Sequence, residues 1–438
     1  MGGWHLSAVR TARATAALAV LLGFAPAVPA QDRATDQVLK FHQARVLADP
    51  DDPLAHNRLA AAYVQKARES GDLTYYGLAE TAALRSVALL PRGPSATSAT
   101  TTLALVHLAR HEFSEALARA RAALDLGPGE AAPHAVAGDA LVELGEYEAA
   151  AQAYGRIANV EGPRRPDSRL AYLQFLRGDA AGAIAGMRRA VEVIRATSPA
   201  GEPAAWARAQ LGDLLFHAGD LPGAEAAYRE SLAAAPGYHR ALAGAARVHA
   251  ARGQFRDAVE RYQKALAVIP LPEYAAALGD VYTRLGREAD ARRQYTLVEY
   301  IGRLSALNRT VYNRELALFY ADRGVRPADA LALARRELQA RRDVYTYDVL
   351  AWALLRSGRA REAVEPMTQA LRLGTPDARL FFHAGMIHHA LGETDAARDH
   401  LGRALALNPA FHVLQAEVAT RTLAELNRRA SAPAGGRP

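Results

Sequence analysis

The sequence predicts an all-α fold, a solenoid of about ten stacked helix–turn–helix repeats. Three observations lead to this class. Glycines that close helical stretches recur at spacings near 34 residues, and an alanine follows each after five or six residues. Twelve residues before that alanine (thirteen in one repeat) the chain carries only glycine or alanine. The closing glycines are Gly145, Gly178, Gly219, Gly253, Gly286, Gly324, Gly358 and Gly392.

Composition excludes several classes of protein. The chain has 438 residues, more than the roughly 250–300 at which a single hydrophobic core stops growing, so several domains or a repeat array are expected. The absence of cysteine excludes disulfides and cysteine-ligated metals. The net charge is +7, but the arginines are scattered, so nucleic-acid binding is not expected.

Residues 1–30 have the order of a secretory signal. Arg10 and Arg13 precede an apolar run at 14–25, and small residues at Val28 and Ala30 precede the expected cleavage point. The run is shorter than the ~20 residues that span a bilayer. We therefore expect an exported protein, periplasmic or secreted, that is cleaved after Ala30 and has no transmembrane segment afterwards. An uncleaved anchor is the alternative.

The remaining elements follow in order. Residues 31–52 are expected to form a leading helix, and the repeats to occupy 53–198 (repeats 1–4), 205–301 (repeats 5–7) and 310–411 (repeats 8–10). Insertions at 197–202 and 302–309 break the period, and we expect flexible joints there that divide the array into blocks. Residues 412–428 are expected to form a polar-faced capping helix, which a stacked array needs for solubility. Residues 429–438 are expected to be disordered.

Each repeat has a physical explanation. Helix A ends at the glycine, which can adopt the left-handed conformation that closes a helix. Helix B ends before a proline such as Pro236 or Pro409, which cannot continue it. The small residue of helix A lies where the two helices cross, and a larger side chain there would cost about 1–3 kcal/mol. These small residues are Ala104, Gly138, Ala171, Gly212, Ala246, Gly279, Ala317, Ala351 and Gly385.

This pattern resembles the tetratricopeptide repeat. The best units run from Gln-Leu-Gly-Asp at 210–213 to Pro236 and from Ala-Leu-Gly-Asp-Val-Tyr at 277–282 to Tyr295, and the tenth closes with Ala-Leu-Ala-Leu-Asn-Pro at 404–409. The resemblance covers roughly residues 53–411. It implies a right-handed superhelix whose A helices line a concave groove that receives an extended peptide or a partner helix. The sequence departs from the family pattern at one position of the repeat, which is usually Leu or Tyr. In four repeats this position carries His107, Gln174, His249 and His388.

The resemblance places the groove at fixed positions of helix A. We therefore predict a binding site for a protein or peptide partner there. Its candidate residues are Asp139, Tyr172, Phe175, Trp206, Asp213, Phe216, Arg240, Arg247, Glu273, Asp280, Tyr345, Asp348, Trp352, Phe382, Met386 and His389.

Two sets among these candidates have a second interpretation. Trp206 and Trp352 either contact a partner or pack against the neighbouring repeat. The aspartates that follow Gly138, Gly212 and Gly279 are either solvated or brace adjacent helices. The basic clamp with which the family holds a C-terminal carboxylate is not matched, which argues against a receptor for chaperone tails.

No pattern indicates chemistry. There is no phosphate-binding loop and no dinucleotide fingerprint. His383, His388 and His389 lack the i, i+4 spacing of a zinc motif, so packing or surface roles are favoured over a metal site. We expect no cofactor, no metal and no enzymatic activity. An enzyme with an unrecognised site is the least favoured class.

The favoured function is an extracytoplasmic scaffold that binds a protein or peptide partner in its concave groove, because the repeats use nearly the whole chain. The alternative is a binder of envelope carbohydrate or another small ligand in the C-terminal half. Tyr345, Trp352 and Phe382 motivate that alternative, since aromatic faces stack on sugars.

Overall fold

The computed structural model describes residues 32–161, 167–307 and 313–431. These residues form 22 α-helices and contain no strand, so the predicted all-α solenoid is confirmed. The expected signal at 1–30 and residues 432–438 of the expected tail lie outside the described residues.

Ten helix pairs follow a leading helix, α1 (Asp32–Ala48), and precede a final helix, α22 (Gln415–Ser431). Each pair consists of a helix A and a helix B. The first five pairs are α2 (Pro53–Ser70) and α3 (Thr74–Leu89), α4 (Pro94–Ala109) and α5 (Phe113–Leu126), α6 (Ala131–Glu143) and α7 (Tyr147–Glu161), α8 (Asp167–Leu176) and α9 (Ala180–Thr197), and α10 (Glu202–His217) and α11 (Leu221–Ala234). The other five are α12 (His239–Ala251) and α13 (Phe255–Val268), α14 (Pro272–Arg284) and α15 (Glu288–Leu307), α16 (Asn313–Arg323) and α17 (Pro327–Ala340), α18 (Val344–Arg356) and α19 (Ala360–Leu371), and α20 (Ala378–Leu391) and α21 (Thr394–Leu407).

The small residues of helix A lie at the crossing with helix B. A Cβ atom at Gly212 would lie 2.6 Å from the ring of Tyr228, and one at Gly385 would lie 2.7 Å from the side chain of Leu401. Interiors packed at this density cannot absorb the extra methyl group without moving a helix. The requirement for a small residue inferred from the sequence therefore has a direct steric cause.

Three boundaries differ from the sequence-based expectation. Most of the 302–309 insertion is helical, because α15 continues to Leu307, and one hydrophobic core extends from Leu242 to Leu426 past this insertion. The final helix begins at Gln415 rather than 412, where the ring nitrogen Nδ1 of His412 accepts the first backbone N–H groups. It also continues to Ser431, so residues 429–431 are helical rather than disordered. Two arginines in its last turn stabilise the negative end of the helix dipole.

Successive turns of the superhelix contact one another along a line that we call the seam. Residues joined across it are 192 to 199 positions apart in the sequence, which is about six repeats per turn. Thr375 donates to the carbonyl oxygen of Leu176 at 2.6 Å, and Asn408 donates to that of Phe216 at 2.7 Å. The Tyr147 hydroxyl accepts from the backbone N–H of Val344 at 3.0 Å. The ten repeats therefore form more than one turn, and the concave surface becomes the wall of an internal space.

Candidate binding chamber

The superhelix surrounds a chamber of about 570 Å³ that is open to solvent and lined mainly by helices A of repeats 3–10. This volume lies within the roughly 300–1,000 Å³ range of small-ligand sites. Carboxylates outnumber arginines in its wall, although the whole chain is basic. The carboxylates are Glu143, Asp213, Glu273, Asp280, Glu315, Asp322, Asp343 and Asp377, and the arginines are Arg240, Arg247, Arg314, Arg323 and Arg379.

The structure brings half of the predicted groove residues together in this wall. These are Tyr172, Asp213, Phe216, Arg240, Arg247, Glu273, Asp280 and Tyr345. The other half are not part of the wall. These are Asp139, Phe175, Trp206, Asp348, Trp352, Phe382, Met386 and His389.

The aspartates at the crossings brace adjacent repeats. Each accepts a hydrogen bond from a tyrosine of helix B in its own repeat, 15 residues later, and pairs with an arginine of helix A in the next repeat. The bracing interpretation is therefore correct for these aspartates. The three triads are Asp139–Tyr154–Arg169, Asp213–Tyr228–Arg247 and Asp280–Tyr295–Arg323.

The cost of breaking a triad should follow its burial. The side chain of Asp280 is 6% exposed, whereas that of Asp139 is 26% exposed. We expect Asp280→Asn to lower the free energy of unfolding by about 2 kcal/mol, because a charge-assisted bond is lost inside the protein. Asp139→Asn should cost under about 1 kcal/mol, since solvent compensates it. Urea unfolding of both variants measures the difference, and equal costs would contradict the bracing role.

Trp352 is packed between repeats, so it offers no face to a ligand. Its side chain is buried and stacks on His383 of the next repeat at 4.2 Å between ring centroids. Its indole nitrogen donates to Asp322 at 2.9 Å, and His383 in turn bonds Asp348 at 2.8 Å. The packing interpretation therefore holds for Trp352. Phe382 is equally buried, so of the three aromatics behind the carbohydrate alternative only Tyr345 reaches the chamber.

Several chamber residues were not among the candidates chosen from the sequence. Arg314 and Glu315 follow the 302–309 insertion, where the repeat register is shifted, and Asp322 and Arg323 lie at the far end of helix A. Arg379 could have been found, since it lies six residues before Gly385, as Arg240 lies six before Ala246. The missed wall residues with acidic, basic or imidazole side chains are Glu143, His217, Arg314, Glu315, Asp322, Arg323, Asp343, Asp377, Arg379 and His412.

The charged side chains of the wall that lack a salt bridge occupy one equivalent position of helix A. It lies in the first turn of helix A, six residues before the small residue, and we call its chamber members the first-turn ring: Arg240, Glu273, Tyr345 and Arg379. Among the described residues, the side chains of Arg240, Glu273 and Arg379 form no salt bridge. Arg240 and Glu273 are exposed, and Nε of Arg379 is buried without a hydrogen-bond partner. A buried N–H group without a partner, such as Nε of Arg379, is unfavourable unless water or a ligand satisfies it. The ring is therefore the part of the wall that can bind something.

Glu273 has an unusual protonation equilibrium. Desolvation inside the chamber, followed by the nearby charge of Glu315, raises the pKa of Glu273 to about 7 from an ordinary 4.5. Between these values the folded state holds a proton that the unfolded state has lost, so stability falls as the pH rises.

Glu273→Gln should remove this pH dependence. We expect the variant to unfold at a higher temperature than the parent at pH 8 and at nearly the same temperature at pH 4.5. Thermal unfolding at the two pH values measures the effect. A difference between the proteins that does not change with pH would contradict the assignment.

Among the described residues, no group of three or more His, Asp or Glu side chains is arranged to hold a metal. None of the described helices combines the length and the apolar character needed to cross a bilayer.

Comparison with known families agrees with this architecture. Tetratricopeptide-repeat models match residues 101–168, 215–281 and 349–410, which fall on helix pairs of the array. The chain is therefore a tetratricopeptide-repeat protein. Proteins of this class generally act as non-catalytic scaffolds for protein–protein interaction. No curated protein matches the sequence.

Solved structures of the same architecture are distant. A tetratricopeptide repeat protein from Parabacteroides merdae has 18% identity and a TM-score of 0.34, covering 60% of this chain and 97% of its own. Yeast Tom70 has 13% identity and a TM-score of 0.39, covering 92% and 94%. The Cut9–Hcn1 hetero-tetramer of the APC/C has 13% identity and a TM-score of 0.38, covering 90% and 93%.

Proposed function

We propose that the protein is an exported scaffold that binds a polypeptide segment inside its chamber. The observation that carries this proposal is the first-turn ring, where Arg240, Glu273 and Arg379 line the chamber without a salt bridge to another described residue. Charged groups positioned in this way give a bound segment both orientation and specificity. The repeat class supports the choice of a polypeptide, since such proteins bind protein partners.

Retention of peptides tests the binding function. The full chain is immobilised and exposed to random-sequence tetrapeptides, half with free termini and half with acetylated and amidated termini. We expect a subset to be retained by the parent and lost from the triple variant Arg240→Gln, Glu273→Gln, Arg379→Gln. The matched control replaces three exposed residues on B helices, Arg256→Gln, Glu288→Gln and Arg336→Gln. Equal retention by all three proteins, or none by the parent, would contradict the proposal.

Export is the second part of the proposal. It is supported by the basic, apolar and small-residue order of residues 1–30. The N-terminal sequence of the protein recovered from its native cells should begin at Gln31. A chain that retains Met1 and fractionates with the cytoplasm would overturn this part and leave the binding function to its own test.

A further inference from the structure

Most charged groups of the chamber wall already have a structural partner. Asp213 and Asp280 belong to triads, and Asp343 and Asp377 cap the N-termini of α18 and α20. The remaining wall carboxylates other than Glu273 also have neighbours: Glu143 pairs with Arg341, Glu315 lies 3.5 Å from Arg314, and Asp322 accepts from Trp352 and Gln415. Among the described charged residues of the wall, Glu273, Arg240 and Arg379 are the ones without a salt bridge or a capping role.

These groups are arranged around the axis of the superhelix. Glu273 belongs to repeat 7 and Arg379 to repeat 10, at the same register position. Because one turn holds about six repeats, three repeats correspond to about half a turn. A carboxylate and a guanidinium of the chamber wall therefore lie about half a turn of the superhelix apart.

We propose, on the basis of the polypeptide-binding function above, that the chamber binds a short free peptide whose N-terminal ammonium contacts Glu273 and whose C-terminal carboxylate contacts Arg379. Arg carboxylate pairs are strong and directional, and the guanidinium offers a planar fork of donors. A peptide of about two to four residues suits a space of this size. Arg240, on the helix next to Glu273, is left to donate to a peptide carbonyl oxygen.

The proposal predicts a particular pH dependence. Charged groups that face Glu273 are Glu315, Arg240 and Arg314. A ligand ammonium beside Glu273 favours its ionised form, so affinity should rise with pH up to about 7, the pKa of Glu273. It should fall above about 8, where a peptide α-amino group loses its proton. Glu273→Gln should abolish the rising part of this profile.

Calorimetric titration of the full chain with tetra-alanine tests the proposal, because the methyl side chains leave the termini as the main recognised groups. The free peptide is compared with its N-acetyl and C-amide forms. We expect each modification to weaken binding at least tenfold. Glu273→Gln should bind the free and N-acetyl peptides equally, and Arg379→Gln should bind the free and C-amide peptides equally. Glu288→Gln, at an exposed position, should behave as the parent.

Three results would overturn the proposal. Blocked peptides that bind as tightly as the free peptide would show that the termini are not recognised, while the broader polypeptide-binding function would stand. If blocking the peptide termini weakens binding to Glu273→Gln and Arg379→Gln as much as to the parent, the ligand binds elsewhere. If tetra-alanine does not bind and the tetrapeptide library also gives no retention, both this inference and the proposed function fail.

Discussion

Replacing Arg341 with methionine is expected to lower the free energy of unfolding by about 3–5 kcal/mol. The Arg341 side chain is 3% exposed, lies just after α17, and pairs with Glu337, which is 2% exposed. It also reaches across the seam to Glu143 at 3.0 Å. Burial raises the pKa of Glu143 and Arg341 opposes this, so removing the guanidinium leaves two carboxylates without their counter-charge.

A matched pair of variants separates this effect from a general loss of arginine. Arg336→Met changes an exposed arginine of α17 and should cost under about 0.5 kcal/mol. Adding Glu337→Gln to Arg341→Met should recover part of the loss, because the uncompensated buried charge is removed. Urea unfolding measures all three. Arg341→Met that unfolds like Arg336→Met would show that the seam does not depend on this ion pair.

Replacing Gly145 with alanine is the second change with a large expected effect, about 2–4 kcal/mol. Gly145 has a φ of 78°, which a side chain rarely adopts. A Cβ atom there would also overlap the backbone carbonyl of Arg342, whose N–H donates to Glu143 across the seam at 3.0 Å. The backbone of Arg342 cannot move aside as a flexible side chain can. The substitution should therefore push apart the two turns of the superhelix at the seam.

Gly358 provides the control for this prediction. Its φ is 75°, and a Cβ atom there would meet nothing within 4 Å. Gly358→Ala should therefore show only the conformational cost, about 1 kcal/mol. Differential scanning calorimetry of the two variants measures how much more stability is lost in Gly145→Ala than in Gly358→Ala. Equal losses would mean that the turns are not in contact in solution.

The repeat architecture could be predicted from local rules. Glycines such as Gly145 and Gly358 close helix A in the same way, and Gly212 is small because Tyr228 packs on it. These requirements repeat every unit, so they leave a period in the sequence. The seam leaves no comparable signal, since Gly145 contacts the second turn and Gly358 does not, although both are closing glycines. A contact about six repeats away depends on the accumulated rotation of the whole array.

The candidate site could be predicted only in part for the same reason. The equivalent position in the first turn of each helix A identified chamber residues such as Arg240 and Glu273. This position can be found from the repeat alone. The repeat pattern could not show that the Asp213 carboxylate already accepts hydrogen bonds from Tyr228 and Arg247, which belong to other helices. Nor could it show that Trp352 is covered by His383 of the next repeat.

We propose that the triads hold the repeats together while the first-turn ring binds the ligand. The most direct test measures thermal unfolding and tetra-alanine binding on the same samples of Asp213→Asn and Glu273→Gln at pH 7.5. We expect Asp213→Asn to unfold at a lower temperature and to retain binding, whereas Glu273→Gln keeps or gains stability and loses binding at least tenfold. The reverse pattern, with Asp213→Asn fully stable but unable to bind and Glu273→Gln unstable but binding normally, would contradict the account.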